Sequence, residues 1–383
     1  MELQLFFALL RSVICGEALP EEYKKPISEE QIKTLLDLAK AHSLLPLLSE
    51  ALLRHKLLPT NETEELCQAL LFQSISIYQQ QTEALRQLCR LLNEAEIPHL
   101  PLKGSVLKKY YPEPWLRTSC DIDVLVPLEQ YPAAKELLQQ NDYRFLREGS
   151  HDSVFLSPEE VSIELHYTLL EQKRLERTDA LLERIWQYAF AQNDTFTYEL
   201  QDEMFYFYHI VHMAKHFEGG GCGVRSFIDL WILNHSFPFD KEKREALLQE
   251  ARLEKFAKAV EKLSEVWLSG AAMDISSEMV QEFILMGGVY GTMENRVTLQ
   301  QSKQGNKVTY LLRRLFIPYD ELKFRYPILQ KHKWLLPVME VRRLGRLFLS
   351  DKRKQSAEEF KATQNLQEEE QQTAKKLWEY LGL

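Results

Sequence analysis

The chain has 383 residues and a mass of 45.0 kDa, with 45% hydrophobic and 27% charged residues. This composition is typical of a soluble globular protein with two or three packed units, and it argues against a largely disordered chain. The net charge of −9 and the pI near 5.7 argue against general nucleic-acid binding, because affinity for phosphates needs concentrated lysine and arginine. A local basic channel remains compatible with these values.

Cysteine usage and hydropathy indicate the compartment. The cysteines are Cys15, Cys67, Cys89, Cys120 and Cys222. They are scattered, odd in number and lack Cys-x-x-Cys spacing, so we expect no disulfide framework, no zinc site and a reducing cytoplasm. The apolar start has Glu2 where a signal peptide would be basic and is interrupted by Arg11, which indicates an amphipathic helix. No stretch is long and apolar enough to predict a membrane span.

Residues 1–93 are predicted to be helical. Apolar residues recur at helical spacing in the segments 3–15, 32–39 and 62–92. The sequence from Ser28 to Gln31 is typical of a helix start before the second segment. No Gly/Ser-rich linker follows, so we expect these helices to pack directly on the next region.

A candidate anion-binding turn comes next. Gly104 and Ser105 precede the segment 106–111, which is predicted to be helical. Glycine lets a phosphate approach the backbone, and a helix start presents free N–H groups and its positive end. Lys103 and Arg117 add positive charge nearby, although such residues form surface ion pairs about as often as they bind ligands.

A predicted strand at 121–126 carries two aspartates on one face. Side chains alternate along an extended segment, so Asp121 and Asp123 project together while Ile122 and Val124 point into a core. The two Cα atoms are expected to lie about 7 Å apart, which lets both carboxylates reach a hard cation such as Mg²⁺. An isolated Asp-x-Asp pair is more often a solvated strand end, so this pair needs support from other residues.

A third acid lies on a predicted hairpin with arms at 154–157 and 161–167. In the second arm Glu164 shares a face with His166, and the hairpin brings Glu164 over the same sheet. Glu164 is otherwise an exposed acid, and His166 is either a hydrogen-bond partner of the acids or a core histidine. Helical spacing in 128–141 predicts a crossover helix between the two acidic strands. One small sheet is therefore predicted to gather all three acids.

An anion site beside a divalent-cation site suits a nucleoside triphosphate bound with Mg²⁺. The motifs that carry this prediction are Leu102-Lys103-Gly104-Ser105, Tyr111-Pro112, Arg117, Asp121-Ile122-Asp123 and Ile163-Glu164-Leu165-His166. Over residues 95–170 they resemble the polymerase-β nucleotidyltransferase superfamily, and more narrowly its branch of uncharacterised bacterial nucleotidyltransferase family proteins. The segment between Gly104 and Asp121 is longer than in the commonest superfamily pattern, as it is in that branch.

The resemblance implies a two-metal transfer of a nucleoside monophosphate from a nucleoside triphosphate, ATP by default, to a hydroxyl on a small molecule or protein. Asp121 and Asp123 would hold both Mg²⁺ ions, with Mn²⁺ as a substitute, and Glu164 would complete the acceptor-side metal site or take the acceptor's proton. The backbone of Gly104 and Ser105 would hold the β and γ phosphates. Two alternatives stay open: a nucleotide-binding regulatory or interaction module without turnover, and a toxin-like transferase that modifies tRNA or protein.

From about residue 172 the chain is predicted to be helical again. His209, His212 and His216 share one helix face, yet a third histidine two turns away cannot usually reach the same ion, so packing is preferred to a zinc site. The run 219–223 lacks the lysine of a P-loop and indicates a turn between helices. By resemblance to related bacterial proteins, a further group is expected to line the nucleotide or acceptor side of the cleft. These residues are Lys215, His216, Arg225 and Asp229, in addition to Lys103 and Arg117.

Two later segments, 311–316 and 341–348, alternate basic and apolar positions. They indicate a groove for an anionic acceptor or, more simply, helices whose arginine stems cover apolar surface. The charged, glutamine-rich segment 350–376 is predicted to be a solvated helix or a frayed tail.

The predicted fold class is α+β, a small mixed β-sheet nucleotidyltransferase core flanked by helical N-terminal and C-terminal regions. The predicted divisions are 1–93 (helical N-terminal region), 94–171 (nucleotidyltransferase core), 172–349 (helical C-terminal domain, closing the cleft) and 350–383 (charged helical tail).

Overall fold

A computed structural model describes residues 2–288, except 171–174, 194 and 237, and then residues 319, 326, 328–339, 342 and 368–383. The predicted basic segments 311–316 and 341–348 therefore lie outside the described residues, apart from Arg342, as does the predicted tail from 350 to 367.

The described strands all lie between residues 100 and 200, and long helices precede and follow them. The described helices are α1 (Glu2–Ile14), α2 (Glu29–Ala41), α3 (Leu45–Arg54), α4 (Asn61–Glu94), α5 (Gly104–Leu107), α6 (Tyr131–Gln140), α7 (Asp179–Glu183), α8 (Asp202–Glu218), α9 (Val224–Ser236), α10 (Lys241–Glu250), α11 (Glu254–Leu268), α12 (Ile275–Gly287), α13 (Ile328–Lys331) and α14 (Glu368–Leu381). The described strands are β1 (Leu100–Pro101), β2 (Asp121–Leu125), β3 (Arg144–Glu148), β4 (Asp152–Leu156), β5 (Ser162–His166), β6 (Ala189–Ala191) and β7 (Tyr198–Leu200). The fold class is α+β, as predicted.

The main sheet has the strand order β1-β2-β5-β4-β3. β2 runs parallel to β5, whereas the other pairs are antiparallel, so the sheet is mixed. The helix predicted within 128–141 is α6, which leaves the end of β2 and leads to β3. The hairpin predicted from 154 to 167 is formed by β4 and β5. Parallel pairing of β2 with β5 brings the two acidic strands side by side.

One face of this sheet forms a core with α4 and α6. Ile122 and Val124 of β2 are buried beside Ile163 and Leu165 of β5, as the alternation predicted. The side chains that cover them from the two helices are Ala84, Leu88, Leu92, Ala134 and Leu138. Burial of each large aliphatic side chain contributes about 1.5–3 kcal/mol. This apolar face leaves Asp121, Asp123 and Glu164 to the opposite side of the strands.

The two helical regions share a second, larger core. α1 is apolar nearly all round, so it needs partners on several sides, and it contacts both α3 and α11. Phe7 of α1 stacks on Trp267 of α11 with ring centroids 4.7 Å apart. The expectation that the first helices pack directly on the sheet therefore holds for α4, whereas α1 is buried against the C-terminal helices.

Three local features differ from the sequence predictions. β6 and β7 form a two-stranded sheet inside the region predicted as helical from 172, because strands of three residues are too short to show a period. β3, whose residues are all exposed, was also not predicted. α14 begins within the segment 350–376, predicted as a solvated helix or frayed tail, and continues past it, where Leu377 and Trp378 are buried against α11 and α12, so this helix is amphipathic. Within the described ranges, every helix is too short or too polar to cross a bilayer.

Candidate active site

The site is built on the polar face of β2 and β5. The parallel register pairs Asp121 with Ser162, Asp123 with Glu164 and Leu125 with His166. Asp123 and Glu164 are therefore direct cross-strand neighbours, and Asp121 lies two residues before Asp123 on the same face. The structure thus brings the three predicted acids together on one face of the two strands.

Asp123 is the most connected of these acids. It is only 3% exposed, and its Oδ1 accepts a hydrogen bond from Lys103 Nζ at 2.8 Å. The same oxygen lies 2.9 Å from His166 Nε2, which also lies 3.7 Å from a Glu164 oxygen. Lys103 adopts a positive φ of 47°, which is strained for a residue with a side chain. This backbone turn links the anchored Lys103 ammonium to the start of α5.

The site carries an excess of negative charge. Burial raises the pKa of Asp121, and the neighbouring Asp123 carboxylate raises it further. Burial likewise raises the pKa of Glu164, followed by repulsion from both aspartates. Burial would also raise the pKa of Asp123, but Lys103 and His166 outweigh that effect and lower it. Two of the three acids therefore lack sufficient positive compensation, which a bound cation would supply.

The donor atoms fit a metal ion. Among the described residues, Asp123, Glu164 and His166 each offer a ligand atom, and these atoms lie within 4.8 Å of one another. Carboxylate oxygens suit hard cations such as Mg²⁺ and Mn²⁺, whereas imidazole suits softer ions such as Zn²⁺ better. His166, predicted as a hydrogen-bond partner or core residue, is thus a third candidate ligand beside Asp123 and Glu164. Arg147 Nη2 lies 3.5 Å from Glu164 Oε1 at the exposed rim.

In the predicted anion-binding turn, sterics require glycine at position 104. A Cβ atom built on Gly104 would lie 2.5 Å from Arg117 Nη1 and 3.2 Å from Ser119 Cβ, so no larger residue fits without movement. The neighbouring Ser105 N–H donates to the Leu102 carbonyl at 3.2 Å. The donor predicted to face a phosphate at Ser105 is therefore already hydrogen-bonded within the turn.

Arg117 and Asp229, both predicted to contact the nucleotide, are bound to each other. Arg117 Nε and Nη2 donate to the two Asp229 oxygens at 2.8 Å each, and the Tyr111 hydroxyl donates to Oδ1 at 2.8 Å. The arginine and aspartate side chains are 6% and 2% exposed. Burial disfavours the charge on Asp229, but Arg117 outweighs it and lowers the pKa. This pair ties α9 to the wall of the cleft, where it holds Arg117 against Gly104.

The cleft is a cavity of about 220 Å³ between β2, the 103–107 turn, α8 and α9. Predicted residues in its lining are Lys103, Gly104, Arg117, Asp121, Asp123, His216, Arg225 and Asp229. Ser105, Glu164 and Lys215 are not part of that lining. Lys215 Nζ instead donates to the Leu169 carbonyl at 3.2 Å, which ties α8 to the chain after β5. Eight of the predicted residues thus share one cavity.

The face of α8 that looks into the cleft is the face with the three histidines. Phe205, Tyr208, His209, His212 and His216 all line the cavity. His212 and His216 contact each other through their Nε2 atoms at 3.1 Å, whereas His209 Nε2 donates to the Ser226 carbonyl at 2.9 Å. Burial and the adjacent His216 lower the pKa of His212 well below its usual value. For this face the sequence favoured packing over a zinc site, and of the three histidines only His216 was predicted to line the cleft.

Comparison with known proteins shows the family of this chain. A family model described as "Uncharacterised nucleotidyltransferase" matches residues 28–269. The chain therefore belongs to this nucleotidyltransferase family, which confirms the resemblance inferred from the motifs. No curated protein matches the sequence. The solution structure of the antibiotic-resistance factor ANT(2'')-Ia is similar at 11% identity and a TM-score of 0.28, over 50% of this chain and 91% of that one.

Proposed function

We propose that this chain is a Mg²⁺-dependent nucleotidyltransferase that moves a nucleoside monophosphate from a nucleoside triphosphate, by default ATP, to an acceptor hydroxyl and releases pyrophosphate. The observation that most strongly supports this proposal is the parallel register of β2 and β5, which sets Glu164 beside Asp123, with Asp121 on the same face. Family membership supports nucleotidyl transfer in general. The acceptor hydroxyl is proposed to belong to a small molecule or a protein.

The cation proposal is supported by the donor set. Asp121, Asp123 and Glu164 carry more negative charge than Lys103 compensates, and oxygen donors suit Mg²⁺ or Mn²⁺. We assign these three acids as the metal ligands, with His166 as a further candidate. When bound, the divalent ions would neutralise charge on the phosphates and favour ionisation of the acceptor hydroxyl.

The chain's own groups have defined parts in the proposed reaction. The acceptor oxygen forms a bond to the α phosphorus, the bond from that phosphorus to the bridging oxygen of the β phosphate breaks, and pyrophosphate leaves with that electron pair. The hydroxyl proton passes to the Glu164 carboxylate or to water. Lys103 holds Asp123 in place through the 2.8 Å ion pair, and the Gly104 turn gives the phosphates a close approach to backbone. The chemistry is positioning and charge neutralisation, so no nucleophilic side chain is required.

Transfer can be tested with each α-³²P-labelled nucleoside triphosphate, MgCl₂ and cell extract. We expect a labelled acceptor with the wild type and with Glu160→Gln, which changes an exposed acid on the β4–β5 turn. Glu164→Gln and Asp123→Asn should lose at least a hundredfold in rate. Sensitivity of the label to ribonuclease, protease or neither would assign the acceptor class. Equal labelling by Asp123→Asn and wild type would rule the proposal out.

A second candidate is a nucleotide-binding module without turnover. It is favoured by one observation: Asp123 Oδ1 already contacts both Lys103 and His166, so a cation must compete for that oxygen. This candidate predicts Mg²⁺-dependent affinity for a nucleoside triphosphate with no transfer to any acceptor in the extract. If the wild-type protein bound no nucleoside triphosphate in the presence of Mg²⁺, both candidate functions would be rejected.

We propose a cytoplasmic location. The support is chemical: Cys15, Cys67, Cys89, Cys120 and Cys222 are all free thiols, which fits a reducing compartment.

A further inference from the structure

A second cavity, of about 280 Å³, lies beside the cleft between α4 and the segment 114–120, and we call it the α4 pocket. Four residues line both cavities: Ser43, Arg117, Ser119 and Cys120. Cys120 directly precedes Asp121 in β2. A ligand in the α4 pocket therefore reaches the same wall that carries the acids of the cleft.

The charge of the α4 pocket is opposite to that of the chain as a whole. Its lining includes Lys40, Lys108 and Arg117, and among the described residues no aspartate or glutamate lines it. Arg117 is neutralised by Asp229, whereas Lys40 is exposed at the rim. Lys108 is thus the cation that gives the interior of the pocket its charge.

Lys108 is buried, and the described part of the chain supplies no counter-ion for it. It is 8% exposed, its Nζ donates to Gln81 Oε1 at 3.0 Å, and it lies 5.7 Å from the centroid of the Tyr78 ring. Among the described residues no carboxylate pairs with it. Burial, and then the Arg117 guanidinium, lower the pKa of Lys108 to about 8. A buried cation without a counter-charge is destabilising, so an anionic ligand group would be stabilised here.

The body of the α4 pocket is apolar and aromatic. Tyr78 and Trp115 lie with ring centroids 6.3 Å apart at 60°, which leaves a corner for a third ring. Leu45, Pro46, Leu70 and Ile77 also belong to the apolar lining. The pocket therefore offers one cation at the end of an apolar wall, an arrangement typical of small-molecule sites.

Hydrogen bonds hold the wall in this shape. Gln81 Nε2 donates to the Ser119 carbonyl at 2.8 Å, and its Oε1 accepts from the Ser119 hydroxyl at 3.1 Å. Ser74 donates to the Trp115 carbonyl. Segment 114–120 is thereby fixed to α4 before any ligand binds, which lowers the entropic cost of binding.

We propose that the α4 pocket binds the acceptor, and that the acceptor is a small molecule with an aromatic ring and a carboxylate or phosphate group. The ring would pack in the corner formed by Tyr78 and Trp115, the anionic group would pair with Lys108, and the hydroxyl would extend past Cys120 toward Asp121. This inference rests on the proposed function, because it names the substrate class of that transfer.

Cys120 provides a direct reporter of occupancy. It is exposed, whereas the other four cysteines are buried or half-buried, and burial raises the pKa of Cys15 and Cys89 to about 12. Iodoacetamide should therefore alkylate Cys120 first, and mass spectrometry gives the rate. The probes are 4-hydroxyphenylacetate and 4-hydroxyphenyl phosphate, with 4-hydroxyphenylacetamide and tyramine as neutral and cationic counterparts, all without nucleotide.

We expect the anionic probes to slow alkylation of Cys120 at concentrations at least tenfold lower than those at which 4-hydroxyphenylacetamide does so. Tyramine should give no protection. Lys108→Met should remove the preference for anions. Ile77→Glu places a negative charge at the 40% exposed rim and should weaken anion protection at least tenfold, whereas Phe72→Glu, at a 78% exposed position on the same helix, should not. Lys109→Met is the control for Lys108, since Lys109 pairs with Glu199 outside the pocket.

Three results would overturn the inference: no protection by either anion, equal protection by the amide, or displacement of the anions by adenosine, which would make this a base pocket. If the anionic probes still protect Cys120 in Asp123→Asn, they bind to the α4 pocket independently of the metal site. If anions protect but no α-labelled acceptor is ever formed, the pocket stands and the proposed transfer fails. If transfer occurs but no anion protects, the pocket assignment alone fails.

Discussion

Removal of the Asp229 carboxylate is expected to be among the most damaging single changes at the cleft. Asp229→Ala deletes two hydrogen bonds from Arg117 and one from Tyr111, each 2.8 Å long. It also leaves a guanidinium that is 6% exposed without its counter-charge. Breaking a buried pair from one side costs about 3–5 kcal/mol, which is a large share of a typical total stability of about 5–15 kcal/mol.

The assay is urea unfolding followed by circular dichroism, with Arg117→Met, Asp229→Leu and the double variant as a cycle. The double variant should be less destabilised than the sum of its two single changes, because it leaves no buried charge unpaired. Tyr111→Phe should cost only about 0.5–1.5 kcal/mol, since it removes one hydrogen bond. If Asp229→Ala lowered the free energy of unfolding by less than about 1 kcal/mol, the value for an exposed pair, the description of a buried pair would be wrong.

Two further predictions concern Gly104 and His42. Gly104→Ala places a Cβ atom 2.5 Å from Arg117 Nη1, so it should lower the free energy of unfolding in urea by about 1–3 kcal/mol. It should also weaken nucleotide binding measured by calorimetry. Unchanged affinity would mean that the turn does not approach the phosphates. His42 is fully buried, and burial lowers its pKa to about 4, so it stays neutral in the fold while the unfolded chain takes up a proton below about pH 6.5. Stability should therefore be intact above that pH and fall as the pH drops toward 4, by up to about 3 kcal/mol from this residue. His42→Gln keeps an acceptor for the Val224 N–H and should reduce the loss of stability between pH 6.5 and pH 4. If the free energy of unfolding changed with pH equally in the variant and the wild type, His42 would not be the residue responsible.

Short-range patterns predicted the acidic strands well. Alternation placed Ile122 and Val124 in one core and Asp121 and Asp123 on the other face, because a strand buried on one side must alternate. The hairpin that carries Glu164 followed from its turn residues. The parallel neighbour relation between Asp123 and Glu164 was expected only in outline, since register depends on contacts between distant segments.

Long-range pairing was the part that the sequence could not supply. Arg117 and Asp229 were both assigned to the nucleotide, yet they neutralise each other across 112 positions of chain. Lys215 was assigned to the cleft, but its ammonium donates to the Leu169 carbonyl. Local patterns show which residues are charged and which face they share, whereas partners are set by how the helices pack.

Which phosphorus is transferred tests the central claim most directly. The wild type should be incubated with ATP labelled at the α or at the γ position, in MgCl₂ with acceptor-containing extract, beside Asp121→Asn/Asp123→Asn. We predict that the wild type places the α label on the acceptor and releases the γ label as pyrophosphate. The double variant should neither label the acceptor nor release pyrophosphate. A γ label on the acceptor, or equal α labelling by the double variant, would contradict nucleotidyl transfer at this pair of strands.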